Sequence, residues 1–138
     1  MQALQHRLLA WQMYVYGITG LLYWNTTYWN PRFTADVWRD VATVKSISPK
    51  IYGDGSLFYP GAKVGLNGPV VSVRLECIRD GLEDYELLVL AERAAGKGVA
   101  MRLARMAARS LVDYVRDPRK FAMVRRRLLS FLSRQRLR

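Results

Sequence analysis

Residues 72–90, SVRLECIRDGLEDYELLVL, carry the clearest structural signal in the chain. Apolar side chains recur here every three or four residues, which is the spacing of one helix face; they are Leu75, Ile78, Leu82, Tyr85 and Val89. Ser72 precedes this pattern and is a favourable N-cap residue. Gly81 costs a helix about 1 kcal/mol relative to alanine, so we expect it to allow a neighbouring backbone to approach closely. The stretch predicts an amphipathic helix.

The acidic residues of this predicted helix have two interpretations. Four carboxylates follow one another closely: Asp80, Glu83, Asp84 and Glu86. Paired carboxylates perform general acid–base chemistry in glycosidases. Arg79 is spaced to form an ion pair with Glu76 or Glu83, and Arg74 lies one turn further back. We therefore expect capping and ion pairing, with catalysis as the alternative.

The preceding segments indicate half of a βαβ unit. Residues 3–16 place apolar side chains at helical spacing and are followed by Gly17, which predicts a helix that stops there. Residues 18–24 form a continuous apolar run, which is typical of a fully buried parallel strand. Residues 25–70 form a connection far longer than a usual βα loop, and loops of that size are commonly functional.

Two short elements are predicted inside this long connection. Residues 36–46 favour a short helix, because valines recur on one side. Residues 51–59 predict a small hairpin or sharp turn about Gly53-Asp54-Gly55, ended by Pro60-Gly61.

The C-terminal quarter is strongly basic. Residues 102–138 carry twelve Lys/Arg against two Asp and hold +10 of the net charge of +11. Two helices are predicted there, over residues 99–116 and 119–136. Asp117 is a natural N-cap for the second, with Pro118 at its first helical position.

Composition argues against several classes of site. With one histidine and one cysteine, Cys77, the chain offers no internal disulfide and no zinc cluster, and we expect no cofactor. The longest apolar run, residues 18–24, is too short to span a bilayer, and no segment resembles a signal peptide. A signal could precede Met1, so localisation stays open.

An aromatic cluster follows the predicted strand and is the candidate binding site. Its residues are Tyr23, Trp24, Tyr28 and Trp29, then Trp38, Tyr52, Asp54, Phe58 and Tyr59 in the long connection. Ligand sites of parallel α/β folds lie at the carboxyl ends of strands. Aromatic rings stack on the apolar faces of sugars, and Asp accepts hydrogen bonds from hydroxyls. The cluster is either a ligand-facing wall or the core of a long loop.

One ordered set of residues indicates a relationship to known proteins as well as local structure. It comprises Trp11, Tyr14-Val15-Tyr16-Gly17, Gly20-Leu21-Leu22-Tyr23-Trp24, Trp29, Gly53-Asp54-Gly55, Leu57, Tyr59-Pro60-Gly61, Pro69, Ser72, Arg74, Glu76 and the run from Ile78 to Glu86. This set resembles the C-terminal end of the catalytic domain in glycoside hydrolase family 123 and in the related domain-of-unknown-function family 4091. The likeness covers about residues 8–92.

The resemblance implies an α/β fold, the C-terminal fragment of a (β/α)8 TIM-type barrel. Residues 3–16 would be its seventh helix, 18–24 its buried eighth strand and 72–92 its closing helix, with a small hairpin in the long βα loop and two basic helices beyond. It divides the chain into a glycosidase-like portion, residues 1–92, and a basic helical extension, residues 93–138.

The resemblance also implies a reaction and its limits. Family members are retaining β-N-acetylgalactosaminidases, or unassigned glycosidase-like proteins, in which the substrate's 2-acetamido oxygen attacks the anomeric carbon. An adjacent Asp-Glu pair on an earlier strand orients that group and supplies the general acid. No Asp-Glu dipeptide occurs in this chain, and Glu83-Asp84 has the reverse order on a helix. We expect no catalytic residue here and no hydrolysis by the chain alone.

The expected contribution is a sugar-binding wall. Its residues would be Tyr23, Trp24, Trp29, Asp54 and Tyr59. A structural signature would be formed by Arg74, Glu76, Arg79, Asp80, Gly81, Glu83, Asp84 and Tyr85. Because one strand cannot satisfy its own backbone, the expected partners besides a carbohydrate ligand are the missing N-terminal barrel portion or another copy of the chain.

The alternative is a basic helical module that binds nucleic acid or an anionic surface. Arg102, Arg105 and Arg109 share one predicted helix face. A second basic surface comprises Arg125, Arg126, Arg127, Arg134, Arg136 and Arg138. The plainer interpretation is a solvated helix face, and nucleic acid is the less favoured partner.

Overall fold

The computed structural model describes residues 3–29, 38 and 55–135. Its elements in chain order are α1 (Ala3–Tyr16), β1 (Phe58–Pro60), a 3₁₀ helix (Gly61–Val64), β2 (Pro69–Val71), α2 (Val73–Ala95), α3 (Lys97–Arg105) and α4 (Pro118–Gln135). The described part is therefore mainly helical, with one small antiparallel sheet.

The chain divides into two compact units. The first comprises Leu21–Glu76 and is called the aromatic unit below. The second comprises Gln2–Gly20 and Cys77–Arg138 and is called the helical unit. α2 begins in the aromatic unit and continues in the helical unit, so one continuous helix belongs to both.

α1 has the bounds that its apolar spacing predicts. Gly17 ends it at φ 67°, a left-handed conformation that favours glycine. The Gly17 N–H donates to the carbonyl of Tyr14 at 3.2 Å, and the Ile18 N–H donates to that of Met13 at 2.8 Å. These two bonds form a Schellman motif and satisfy carbonyls that the helix end would otherwise expose.

α2 is the helix predicted from residues 72–90, extended by one turn. The Ser72 hydroxyl accepts a hydrogen bond from the Leu75 N–H at 3.3 Å, so the predicted N-cap is confirmed. Gly96, at φ 84°, follows the last helical residue, and its N–H donates to the Glu92 carbonyl at 2.7 Å. The helix therefore continues to Ala95, where this glycine ends it.

The buried face of α2 agrees only in part with the predicted one: Ile78 is buried and Tyr85 and Val89 pack against the core, but Leu82 does not. Leu82, expected in the core, is 45% exposed. The prediction assumed that the largest apolar side chains mark the core face. Instead the core face carries a glycine and a charged residue that other elements contact. The buried positions are Ile78, Gly81, Asp84, Leu88 and Ala91.

Gly81 is the point of closest approach between α1 and α2. A Cβ at this position would lie 2.7 Å from the carbonyl oxygen of Arg7 and 3.2 Å from the Cβ of Ala10. No side chain fits between these backbones, so the close approach expected at Gly81 is confirmed.

The described chain does not form the buried strand that is predicted over residues 18–24. The segment forms no strand pairing within the described residues. Leu21 is 40% and Leu22 87% exposed, so the run is not buried either. A strand needs neighbouring backbones to pair with, and the described residues supply none beside this segment.

A short hairpin forms within the aromatic unit. β1 and β2 pair antiparallel, with Phe58 opposite Val71 and Pro60 opposite Pro69. The Ser72 N–H then donates to the Leu57 carbonyl at 2.9 Å, which continues the pairing to the start of α2. The turn predicted about Gly53-Asp54-Gly55 lies mostly, and the helix predicted over 36–46 almost wholly, outside the described residues.

The first basic helix is much shorter than predicted. α3 ends at Arg105 rather than 116, and a turn follows. The Ser110 hydroxyl accepts hydrogen bonds from the N–H groups of Val112 (3.2 Å) and Asp113 (2.9 Å). Serine competes with the helix in this way by bonding to nearby backbone, which the apolar spacing of the segment does not reveal.

α4 begins as predicted. The Asp117 carboxylate accepts a hydrogen bond from the Arg119 N–H at 2.8 Å, and Pro118 is the first helical residue. Phe121, Val124 and Leu128 form its buried stripe and join one core with side chains of α1, α2 and α3. No helix among the described residues is long and apolar enough to cross a bilayer.

Candidate functional site

β1 anchors two tryptophans of the aromatic unit through its carbonyl groups. The Trp29 indole N–H donates to the Phe58 carbonyl at 2.9 Å. The Trp38 indole N–H donates to the Pro60 carbonyl at 3.0 Å. Tyr59 lies between these two carbonyls, and its ring centroid is 5.0 Å from that of Trp38. One short strand therefore gathers three aromatic side chains.

Arg74, in the first turn of α2, also binds this cluster. Its Nη2 donates to the Tyr59 hydroxyl at 2.7 Å and to the Ser56 carbonyl at 2.7 Å. Its guanidinium carbon also lies 5.8 Å from the centroid of the Tyr59 ring. Within the described residues, the buried Arg74 Nε has no hydrogen-bond partner. Arg74 thus orients Tyr59 rather than presenting a free charge.

Trp24 forms the exposed part of the cluster. Its side chain is 51% exposed, and its ring centroid lies 5.0 Å from that of Tyr28. A Cβ at Gly55 would lie 2.5 Å from the Trp24 ring, and Gly55 also has φ 74°. Gly55 is therefore required both by its backbone conformation and by the indole packed against it.

The structure brings together most of the predicted wall. Trp24, Trp29 and Tyr59 belong to the aromatic unit described above, and Tyr23 is half-buried in the same unit. Asp54 lies outside the described residues. Sequence reasoning placed Trp38 in the cluster but did not single it out as a site residue, although its contact with Tyr59 is direct.

Aromatic side chains dominate the described cluster, and acidic ones are scarce in it. Glu76 is the only carboxylate in the described part of the aromatic unit. Within the described residues, the cluster therefore offers aromatic faces and backbone carbonyls rather than paired acids.

A sequence model of the glycoside hydrolase 123 catalytic domain matches residues 1–91, about two-thirds of the chain. The chain belongs to glycoside hydrolase family 123. No curated protein matches it. The family 123 match includes α1, the described aromatic unit and most of α2, and it ends before α3.

Asp84, in the family 123 segment of α2, is a fully buried charge. The Arg7 guanidinium of α1 binds it through two nitrogens, Nε at 2.7 Å and Nη2 at 3.1 Å. The Trp11 indole N–H donates to the same carboxylate at 3.1 Å. Asp80, one turn earlier, accepts a third bond from Arg7 at 3.1 Å. These contacts favour a structural role for the acids that at first suggested catalysis.

Arg125 completes this arrangement from outside the family match. Its Nε, on α4, donates to Asp84 at 2.7 Å. Burial alone would lower the pKa of Arg7, but the hydrogen bond and charge of Asp84 outweigh it and raise the pKa of the guanidinium. The two arginines thereby compensate the charge of one buried carboxylate.

Of the other residues expected to form a structural signature, Arg79 and Glu83 are exposed on α2, whereas Tyr85 is partly buried against the core. Arg79 contacts Asp80 at 3.1 Å and Glu83 at 3.8 Å, in line with the predicted pairing. Tyr85 packs edge-on against Tyr14, with 5.7 Å between ring centroids. The sequence analysis did not identify Arg7, and it assigned Arg125 to a basic surface rather than to Asp84. The available signal was that Asp80 and Asp84 share a helix face, which does not reveal the position of their partner.

Proposed function

We propose that this family 123 chain is the C-terminal portion of a glycosidase-like (β/α)8 barrel and contributes an aromatic sugar-binding wall. The observation that carries the proposal is the family match over residues 1–91, within which the aromatic unit lies. Residues 1–92 would be the barrel portion and 93–138 a basic helical extension.

The wall would act through stacking and fixed orientation. Trp24 offers the most exposed aromatic face, and Tyr28 and Gly55 hold it in place. Trp29 and Tyr59 are fixed by hydrogen bonds to β1 and Arg74, so they lose little freedom when a sugar binds. Tyr23 and Asp54 would complete the wall.

The parent reaction would be the retaining, substrate-assisted hydrolysis of β-N-acetylgalactosaminides. In that reaction the 2-acetamido oxygen attacks the anomeric carbon, and an Asp-Glu pair supplies orientation and the general acid. That pair is not in this chain, so the residues here would bind and position the sugar without cleaving it.

Residues 18–24 would be the eighth strand of the complete barrel. Support comes from the exposure of Leu21 and Leu22 in an apolar run that forms no strand pairing among the described residues. Either the N-terminal barrel portion or another copy of the chain would cover this run and pair its backbone.

Sugar binding is the direct test. N-acetylgalactosamine is titrated into the full chain while the indole N–H signals are followed by NMR, with glycerol as a ligand that cannot stack. We expect the Trp24 signal to shift, about tenfold weaker binding in Trp24→Ala, and largely retained binding in Trp24→Phe, which keeps an aromatic face.

Tyr16→Ala is the matched control, because Tyr16 is also half-exposed but lies in the helical unit. Equal weakening in Tyr16→Ala and Trp24→Ala would contradict the proposed wall. So would the absence of any saturable shift in the wild-type chain.

Hydrolysis is tested separately. We expect no turnover of an aryl N-acetyl-β-galactosaminide by the chain alone, measured as release of the aryl alcohol. Clear hydrolytic activity that co-purifies with the chain through repeated chromatography would overturn the proposal that the catalytic pair lies outside this chain.

A further inference from the structure

A cavity in the helical unit is surrounded by basic side chains. It has a volume of about 450 Å³, which lies within the range of small-molecule sites, and it opens to solvent. It lies between the end of α3, the turn that follows and the start of α4. Its charged lining residues are Arg105, Arg109, Arg116 and Lys120, with Asp113 and Asp117.

The two acids of the lining are already engaged. Asp113 forms an ion pair with Arg109 at 3.6 Å. The Asp117 carboxylate caps α4 through the Arg119 N–H. The ion pairs among the described residues do not include Arg105, Arg116 or Lys120. Three cations therefore surround one cavity without a matching anion.

The segment between α3 and α4, which carries Arg109 and Arg116, is firmly held. The N–H groups of Arg109 and Ser110 donate to the Asp113 carbonyl at 2.9 Å and 3.0 Å. The Val115 N–H donates to the Ala107 carbonyl at 2.9 Å, and this bond ties the end of the turn back to its beginning. The Arg116 guanidinium lies 5.3 Å from the centroid of the Tyr114 ring, which limits its orientations.

We propose that this cavity binds a tetrahedral oxyanion, the phosphate or sulfate group of a small molecule. Arginine presents a planar set of donors that matches such oxyanions, and lysine adds a point charge. An anion would also remove the mutual repulsion of the three cations. α4 begins at the same cavity, but the Asp117 carboxylate already caps its N-terminus, so the side-chain cations would hold the anion.

The proposal is tested by titrating the full chain with inorganic phosphate and, separately, sulfate at constant ionic strength. Isothermal titration calorimetry gives the affinity and the stoichiometry. The double variant Arg116→Gln/Lys120→Gln removes two cations from the cavity. Lys97→Gln/Arg102→Gln removes the same charge from α3 at exposed residues that do not line the cavity.

We expect one saturable site, at least about tenfold weaker binding in the cavity variant, and a change within about twofold in the α3 variant. Comparing the two anions distinguishes a phosphate from a sulfate source. Equal weakening in both variants would indicate general charge attraction and overturn the proposal. The absence of saturable binding would also overturn it. So would an oligonucleotide that displaces phosphate from the wild-type chain and binds both variants with equally reduced affinity.

Discussion

Glu83 and Asp84 are adjacent carboxylates with opposite surroundings. The Asp84 side chain is fully buried and bound by two arginines, whereas the Glu83 side chain is 61% exposed and lies 3.8 Å from Arg79. Helical geometry separates neighbouring residues by about 100° around the axis, so one faces α1 while the other faces solvent. Adjacent residues of the same chemical type therefore have different roles in this helix.

This difference predicts unequal effects of neutralising the two acids. Asp84→Asn keeps the side-chain volume but removes the charge that compensates Arg125 and leaves Arg7 with Asp80 alone. We expect it to lower the free energy of unfolding by about 3 kcal/mol, because both arginines keep some access to solvent. Glu83→Gln should change it by less than about 0.5 kcal/mol. Urea unfolding measures both, and equal effects would contradict the structural role of Asp84.

Gly81 and Gly98 are both helical glycines, and their alanine variants should have opposite effects. At Gly81 the added methyl group meets the Arg7 carbonyl oxygen at 2.7 Å, so α1 must move. We expect destabilisation of about 1–3 kcal/mol despite the better helix propensity of alanine. At Gly98 the nearest atom, Nη1 of Arg102, is 3.8 Å away. There we expect stabilisation of up to about 1 kcal/mol in thermal unfolding.

Tyr14 makes stability depend on alkaline pH. Burial, the 2.5 Å hydrogen bond that its hydroxyl donates to Glu92, and the Glu92 charge raise the pKa of Tyr14 above the usual value of about 10. The folded chain therefore keeps the proton longer than the unfolded chain. The resulting stabilisation is complete below pH ~10 and is lost as the pH rises through the folded pKa.

Removing the Tyr14 hydroxyl should reduce the loss of stability at alkaline pH. We expect Tyr14→Phe to be less stable than the wild type at neutral pH but to lose less stability above pH ~10. Glu92→Gln keeps an acceptor but removes the charge, so its slope should be intermediate. Urea unfolding across this range measures the slopes, and identical slopes in all three proteins would contradict the shifted pKa.

At the scale of elements, the sequence predicts helices well where caps and spacing agree. α1, α2 and α4 each combine apolar periodicity with a specific end signal, Gly17, Ser72 and Asp117 respectively. Those signals are local, so a sequence contains them in full.

α3 and residues 18–24 were predicted less well because distant residues decide them. The turn after α3 is stabilised by Gln12 of α1, whose amide donates to the carbonyls of Ser110 and Leu111 at 3.2 Å. Residues 18–24 have strand character, but pairing requires other strands.

The same limit applies to Asp84, whose partners Arg7 and Arg125 are 77 and 41 positions away in the sequence. In the aromatic unit, the aromatic composition was evident, whereas the anchoring of Trp29 and Trp38 by β1 was not.

At the scale of the molecule, α4 is part of the fold although it lies outside the family match. Leu128 is fully buried in the core shared with α1 and α2, whereas its neighbour Leu129 is 37% exposed. The helical unit therefore depends on residues beyond the segment that defines the family.

This dependence predicts unequal effects of two adjacent leucine substitutions. Leu128→Ala leaves a cavity in the core and should lower the free energy of unfolding by about 2–5 kcal/mol. Leu129→Ala should lower it by less than about 1 kcal/mol. Thermal unfolding measures both variants. If both alanine substitutions lowered the stability equally little, α4 would be a dispensable extension rather than a part of the core.

The distribution of indoles has a spectroscopic consequence. Trp11 is the only tryptophan of the helical unit, and it is fully buried, whereas Trp24, Trp29 and Trp38 belong to the aromatic unit. Trp11 should fluoresce at short wavelength and the exposed Trp24 at longer wavelength. The emission spectrum therefore contains a separate signal for each unit. Comparing the two signals during denaturation would reveal whether the units melt in one transition or in two.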